Sequence, residues 1–272
     1  TTSYGTGELI LAALDEGVEK IIVGIGGSAT NDGGAGMLQA LGALLLDAQH
    51  QPIGAGGGCL QDLAAIDLSG LDKRLAGVEI VVACDVDNPM CGEKGASAVF
   101  GPQKGATPEM VQALDSGLQH FAALAARDLG LDIQSPAGAG AAGGMGGGVL
   151  LLPDARLQAG VKIVMEAVGL AEKVQDADLV ITGEGRMDAQ SVHGKTPIGV
   201  AHTAKAFGKP VIAIVGCLRE DYEVVYAQGI DAVFPIIRQL GSLEEILQHG
   251  RDNLVSAAQN VARIYQMGIS RK

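Results

Sequence analysis

The chain has 272 residues, 47% of them hydrophobic and none of them Trp, enough to bury a substantial core in one large or two smaller lobes. With 31 acidic against 19 basic residues the net charge is −12, which argues against a nucleic-acid or anionic-membrane surface and leaves any anionic ligand to a local site. Cys59, Cys84, Cys91 and Cys217 show neither zinc-pair spacing nor a secreted disulfide framework, and no apolar run is long enough to cross a bilayer, so the composition predicts an α/β protein of the cytoplasm with buried cysteines.

Residues 6–16 read as a helix carrying Leu9, Ile10, Ala13 and Leu14, with Thr6 as N-cap and Gly17 as the stop. Lys20 to Val23 is short, β-branched and apolar, the pattern of a parallel strand buried on both faces. A glycine-rich run follows, from Gly24 to Gly36. Met37, Leu38, Leu41, Leu44 and Leu45 then recur at helical spacing. Between strand and helix, the glycines allow successive backbone N–H groups to point into one concavity, a receptor for phosphate or carboxylate. Gly26, Gly27, Ser28, Ala29, Thr30, Asn31 and Asp32 form its centre. Ser28, Thr30 and Asn31 add hydroxyl and amide donors, and Asp32 is either a metal ligand or a helix cap.

From residue 51 to 77 the pattern loosens into a loop at Gly54–Gly58 and a short strand over 65–68. A clear strand over 78–83 runs into Cys84-Asp85-Val86-Asp87-Asn88-Pro89, where Asp85 is equally well read as a site residue or as part of a turn. Phe100-Gly101-Pro102-Gln103-Lys104-Gly105 precedes a helix opened by Thr107-Pro108 and running to about Gly130. Gln103 and Lys104 lie within reach of an anion in that loop. A second small-residue tract, 136–148, continues into Val149-Leu150-Leu151-Leu152, which points to close packing or a ligand-facing backbone rather than a flexible linker. The last third alternates: strand 178–182, helix 198–207, strand 210–215, helix 221–228, strand 232–234 and a closing helix 242–264. That order implies right-handed crossovers and a parallel sheet, with ligands at the carboxyl ends of its strands.

The densest cluster of reactive side chains follows Thr182. Arg186 and Lys195 supply positive charge for carboxylate or phosphate, while Glu184 and Asp188 accept a hydroxyl proton or coordinate Mg²⁺. His193 stands without an evident partner. Two nucleotide motifs almost fit. Gly24-Ile25-Gly26-Gly27-Ser28-Ala29, with Asp47 downstream, satisfies a relaxed dinucleotide fingerprint and keeps an NAD-dependent dehydrogenase as an alternative. Gly194-Lys195-Thr196 copies the end of a P-loop, but Ala189 replaces the leading glycine and Pro197 follows at once, so a Walker site is rejected.

Taken together, residues 24–37 and Thr182-Gly183-Glu184-Gly185-Arg186-Met187-Asp188 resemble signatures of the bacterial glycerate kinase family. Residues 83–86, 100–106 and 138–146 resemble it too, in the same order. The resemblance implies ATP-dependent phosphorylation of D-glycerate to 2-phospho-D-glycerate, with ATP and Mg²⁺ as cofactors. It implies a two-lobed α/β fold, one lobe flavodoxin-like with a parallel sheet and one inserted, divided as 1–50 (phosphate-binding region), 51–170 (inserted lobe) and 171–272 (flavodoxin-like lobe). The roles that follow are catalysis for Asp188 and Arg186, phosphate binding for Gly26 to Asp32, charge compensation for Lys104 and Lys195, and Mg²⁺ contacts for Asp85 and Glu184. Family members carry an extra amino-terminal segment before the region matching Thr1, so the resemblance also leaves a non-catalytic partial chain as an alternative.

Overall fold

A computed structural model describes residues 1–192 and 195–269. Its contacts separate two compact units, Thr1–Gly160 and Val161–Lys272.

In the first unit, α1 (Tyr4–Asp15) starts two residues earlier than the periodicity predicts, with Ser3 rather than Thr6 at the N-cap position, and stops before Gly17 as expected. Ser3 serves here because its buried hydroxyl donates to Asp32 and accepts the Met37 N–H, a tertiary role that leaves Thr6 inside the helix. Ile10 and Leu14 are buried in the core with Met37 and Leu38 of α2 (Ala35–Ala40), while Leu9 is exposed. Strand β1 (Lys20–Gly24) precedes the glycine loop.

The helix after that loop is shorter than its leucines suggest. Gly42 has φ +101, and a Cβ there would lie 2.2 Å from the Gly70 carbonyl oxygen, so the chain turns out of the helix at a point only glycine tolerates. Leu44 and Leu45 therefore belong to β2 (Leu44–Asp47), antiparallel to β3 (Leu63–Asp67), with Leu45 opposite Ile66 and both buried.

Strand β4 (Glu79–Ala83) lies at the centre of a parallel sheet between β1 and a later strand. Position in the sheet decides burial. Ile80, Val81 and Val82 are buried on both faces, whereas β1, at the edge, alternates and leaves Ile22 half exposed, contrary to the expectation for Lys20–Val23. Next come α3 (Ala96–Phe100) and α4 (Pro108–Leu129), the latter capped by the Thr107 hydroxyl and closed by Gly130, as predicted. The second glycine tract leads into α5 (Met145–Val149), and β5 (Ala155–Gln158) completes the sheet order β1-β4-β5. The tract is packed tightly: a Cβ on Gly148 would lie 2.0 Å from the Gly33 carbonyl oxygen, and the Gly33 N–H donates to the Gly143 carbonyl. It buttresses the first glycine loop from behind.

The second unit opens near α6 (Gly160–Ala167) and α7 (Leu170–Gln175), followed by β6 (Val180–Thr182), the two-residue strand β7 (Arg186–Met187) and α8 (Thr196–Ala206). Strands β8 (Val211–Val215), β9 (Cys217–Leu218) and β10 (Ala232–Pro235) complete its sheets. The main sheet is parallel in the order β10-β8-β6, and β7 pairs in parallel with β9. Val211, Ala213 and Val215 of β8 are buried in one core with Ile198, Ala201 and Ala204 of α8. Residues 222–228 form a tighter 3₁₀ turn rather than an α-helix. The closing helix is two helices, α9 (Leu243–Gln248) and α10 (Gly250–Ile269). Ser242 and Glu245 cap α9 reciprocally, and the break falls beside Gly250, a poor helix former.

The four cysteines are free. Cys91 alone is buried, and burial pushes its thiol up to about 12, while the other three are half-buried rather than core residues. Among the described residues no helix is long and apolar enough to cross a membrane.

Candidate active site

The glycine loop divides into an open half and a buried half. Gly26, Gly27 and Ala29 are exposed and Ser28 is half-buried, whereas Asn31 is buried and Asp32 fully so. A Cβ on Gly26 or Gly27 would meet nothing within 4 Å, so these glycines face open space rather than a packed neighbour. That space is a cavity of about 310 Å³ at the carboxyl ends of β1 and β4, lined by Gly26, Gly27 and Ser28 together with Asp85, Gln103, Lys104 and Ala142. Parallel strands end there, which is where α/β proteins collect ligands. A second cavity of about 280 Å³ lies on the far side of the loop, lined by Ala29, Asn31, Gly56, Gly57, Gly105 and, again, Lys104.

Lys104 is the cation common to both cavities. Its Nζ donates to the Thr30 carbonyl at 2.7 Å, fastening the 3₁₀ turn Pro102–Lys104 to the glycine loop. Burial pulls the ammonium below the usual lysine value, and the Asp32 carboxylate pulls it partly back. Replacing Lys104 by Met is expected to raise the KM for a phosphate-bearing nucleotide about 10- to 100-fold, the worth of one charge-assisted hydrogen bond. An unchanged KM removes Lys104 from ligand binding.

Asp32 has a different surrounding from the one its position in the loop suggests. Its carboxylate is fully buried, accepts from the Ser3 N–H at 2.7 Å, the Ser3 hydroxyl at 2.9 Å and the Gly34 N–H at 3.2 Å, and does not line either cavity. Nor does it cap the helix: the N-cap of α2 is Gly34, at φ +80. Asn31 donates to the buried Ser97 hydroxyl at 2.9 Å, so its amide ties the loop to α3. Asp85, exposed at the cavity rim, accepts the Gly160 N–H at 2.7 Å. The dinucleotide fingerprint does not carry through here, because the helix begins only at Ala35 and Ala29 cannot make the helix–strand contact of that motif.

In the second unit, the pairing of β7 with β9 sets the reactive cluster. Met187 is fully buried and its neighbours in sequence, Arg186 and Asp188, are carried to the ends of that contact. Asp188 is 3% exposed. Arg186 Nε stands 3.4 Å from one of its carboxylate oxygens and Lys195 Nζ 3.6 Å from the other, while the Gln190 N–H donates at 3.0 Å. Burial alone would raise this carboxyl; the Lys195 charge, the Gln190 N–H and the Arg186 charge outweigh it and hold the group below the usual aspartate range. Glu184 is half-buried and accepts from the Ser191 hydroxyl. His193 and Gly194 lie outside the described residues. Ala142 brings the second small-residue tract to the cavity wall, one of the two readings its composition allows, whereas sequence reasoning missed Ser97 as the partner of Asn31 and the contacts of Ser191; small uncharged residues carry little signal until their neighbours are known.

Parallel strands with a glycine-walled cavity at their carboxyl ends are the arrangement in which α/β proteins receive anionic ligands, and the second unit, by itself, places a carboxylate between two cations. Comparison with known proteins gives the particular kind: residues 1–266 match the glycerate kinase family, and the chain belongs to it. It is similar to a glycerate kinase of Haemophilus influenzae, 67% identical over 264 residues, covering 97% of this chain and 70% of the relative. A glycerate 2-kinase of Escherichia coli is 53% identical over 269 residues, covering 99% of this chain and 71% of the relative. A crystal structure from Salmonella typhimurium LT2, provisionally named glycerate kinase 2, superposes with a TM-score of 0.83 at 56% identity, covering 99% of this chain and 70% of that one.

Proposed function

We propose that this chain transfers the γ-phosphoryl group of ATP to the 2-hydroxyl of D-glycerate. The observation that carries this reading is the family match over residues 1–266, and the name glycerate 2-kinase on the Escherichia coli relative favours the 2-hydroxyl. It displaces the dehydrogenase alternative, whose fingerprint the late start of α2 already weakens.

In this reading Asp188 takes the proton of the glycerate hydroxyl as the oxygen attacks the γ-phosphorus. The new O–P bond forms as the bond to the bridging oxygen breaks, and ADP leaves. A carboxylate held below the usual range is ionised at neutral pH, as a proton acceptor must be. Arg186 and Lys195 neutralise anionic groups in the second unit. In the first unit, the backbone of Gly26, Gly27, Ser28, Ala29, Thr30 and Asn31 cradles phosphate, with Lys104 as the cation, and Asp32 holds the loop in place. Mg²⁺ would spread the charge of the transferring phosphate. Asp85 in the first unit and Glu184 in the second are each a proposed Mg²⁺ contact, since Mg²⁺ takes one or two carboxylates beside substrate phosphates. A cytoplasmic setting belongs to the same reading and rests on four unpaired cysteines.

The test is ADP release by this chain with ATP, Mg²⁺ and D-glycerate, with the Escherichia coli relative as positive control. Turnover that requires both glycerate and ATP, with phosphorus attached at the 2-oxygen by ³¹P NMR, is expected. Nicotinamide-dependent oxidation, or no glycerate-dependent turnover at all, overturns the proposal.

A further inference from the structure

The Ser191 side chain is completely buried, yet its hydroxyl is shared between the two carboxylate residues of the second unit's cluster. It donates to Glu184 Oε1 at 2.5 Å and accepts the Asp188 N–H at 3.2 Å, while the Ser191 N–H donates to the Asp188 carbonyl at 2.9 Å. The residues Ala189–Val192 form one 3₁₀ turn, so Ser191 reaches back over its own turn to the Asp188 backbone and onward to a side chain seven residues upstream. We infer that Ser191 is a positioning residue of the phosphoryl-transfer site: it holds the Glu184 carboxylate at a set distance from the Asp188 backbone and takes up one of its oxygens. This rests on the reading of Glu184 and Asp188 as site residues.

A buried hydroxyl needs its hydrogen-bonding capacity satisfied, and here both its donor and an acceptor site are directed at the cluster rather than at the unit's core. A hydrogen bond to an ionised acceptor is about twice as strong as a neutral one, so it restrains the Glu184 rotamer more firmly than packing alone. Phosphoryl transfer depends on placement more than on covalent chemistry, and a displacement of about 1 Å in a positioning group costs about 100-fold in rate.

The test is a series at position 191 read by steady-state kinetics, with far-UV circular dichroism and thermal melting on every variant. Ser191→Ala is expected to lower kcat about 10- to 100-fold while the KM for ATP stays within about twofold, a split that follows if the group places reacting atoms rather than binding nucleotide. Ser191→Thr, which keeps the hydroxyl, is expected to recover kcat to within severalfold of the parent. Ser191→Cys, near in size but a weak donor, is expected to behave like the alanine variant, and it carries the comparison if that variant does not fold. A kcat within twofold of the parent for the folded alanine or cysteine variant overturns the inference, as does a folded threonine variant as slow as alanine. Asp188→Asn runs alongside: if it loses turnover while Ser191→Ala does not, only the role of Ser191 fails. If Asp188→Asn retains turnover, or the parent chain has no glycerate-dependent turnover, the reading of the cluster fails and the role of Ser191 with it.

Discussion

Asp188→Asn is expected to lower kcat about 100- to 10,000-fold, the usual worth of a general base, with the fold and the KM for ATP retained. The side chain is 3% exposed and sits between Arg186 and Lys195, so an amide of the same shape keeps the packing while it removes the charge and the proton acceptor and turns one NH₂ donor toward groups that already donate. The pH profile supplies an independent reading. Because Lys195, the Gln190 N–H and Arg186 together hold the folded-state carboxyl below its ordinary value, the ionised form is present at neutral pH and through the usual aspartate range. Activity that depends on it is lost only as pH falls through the lowered value. The acid limb of kcat/KM against pH is therefore expected below the usual aspartate pKa. Near-normal turnover in the asparagine variant, or an acid limb at or above the ordinary range, takes Asp188 out of the proton-accepting role.

Asp32→Ala is expected to destabilise the first unit by about 3–5 kcal/mol, because it leaves buried donors without an acceptor. The Ser3 N–H, the Ser3 hydroxyl and the Gly34 N–H all donate to this one carboxylate, joining the entry to α1, the glycine loop and the start of α2. A loss of that size corresponds to a fall in melting temperature of roughly 6–20 °C for a unit of this length. Asp32→Asn is expected to be destabilised as well, since its amide nitrogen presents a donor where donors already point. Differential scanning calorimetry decides the matter. A melting temperature within about 2 °C of the parent for the alanine variant means that the carboxylate is not the buried tie described here.

The sequence was most readable where a signal is local. Thr107, Pro108 and Gly130 bound α4 by capping rules that need no knowledge of the rest of the chain, and the central strand β4 and the alternation of strands and helices after residue 178 are equally legible. The chemistry of the two loops is of the same kind, because glycines in a run and charges clustered after a strand are visible as residue types. It was enough to indicate phosphate handling, an α/β fold and the family.

Where the reading failed, the deciding partner was distant in the chain. Leu44 and Leu45 have helical spacing, but the Gly70 carbonyl packed against Gly42 turns them into a strand. The apolar pattern of Lys20–Val23 does not reveal that β1 lies at a sheet edge, and that position leaves Ile22 half exposed. Asp32 is written into a loop of candidate ligands, yet only Ser3, packed against it just ahead of α1, shows which way its carboxylate faces. By itself, then, the sequence determined the residue inventory, the capped elements and the class of chemistry, because propensity, capping and charge act over a few positions. The tertiary structure alone decided which loop side chains face a cavity, which hold the fold, and that Ser191 joins Glu184 to Asp188, because burial and hydrogen-bond partners are set by contacts that sequence spacing does not encode.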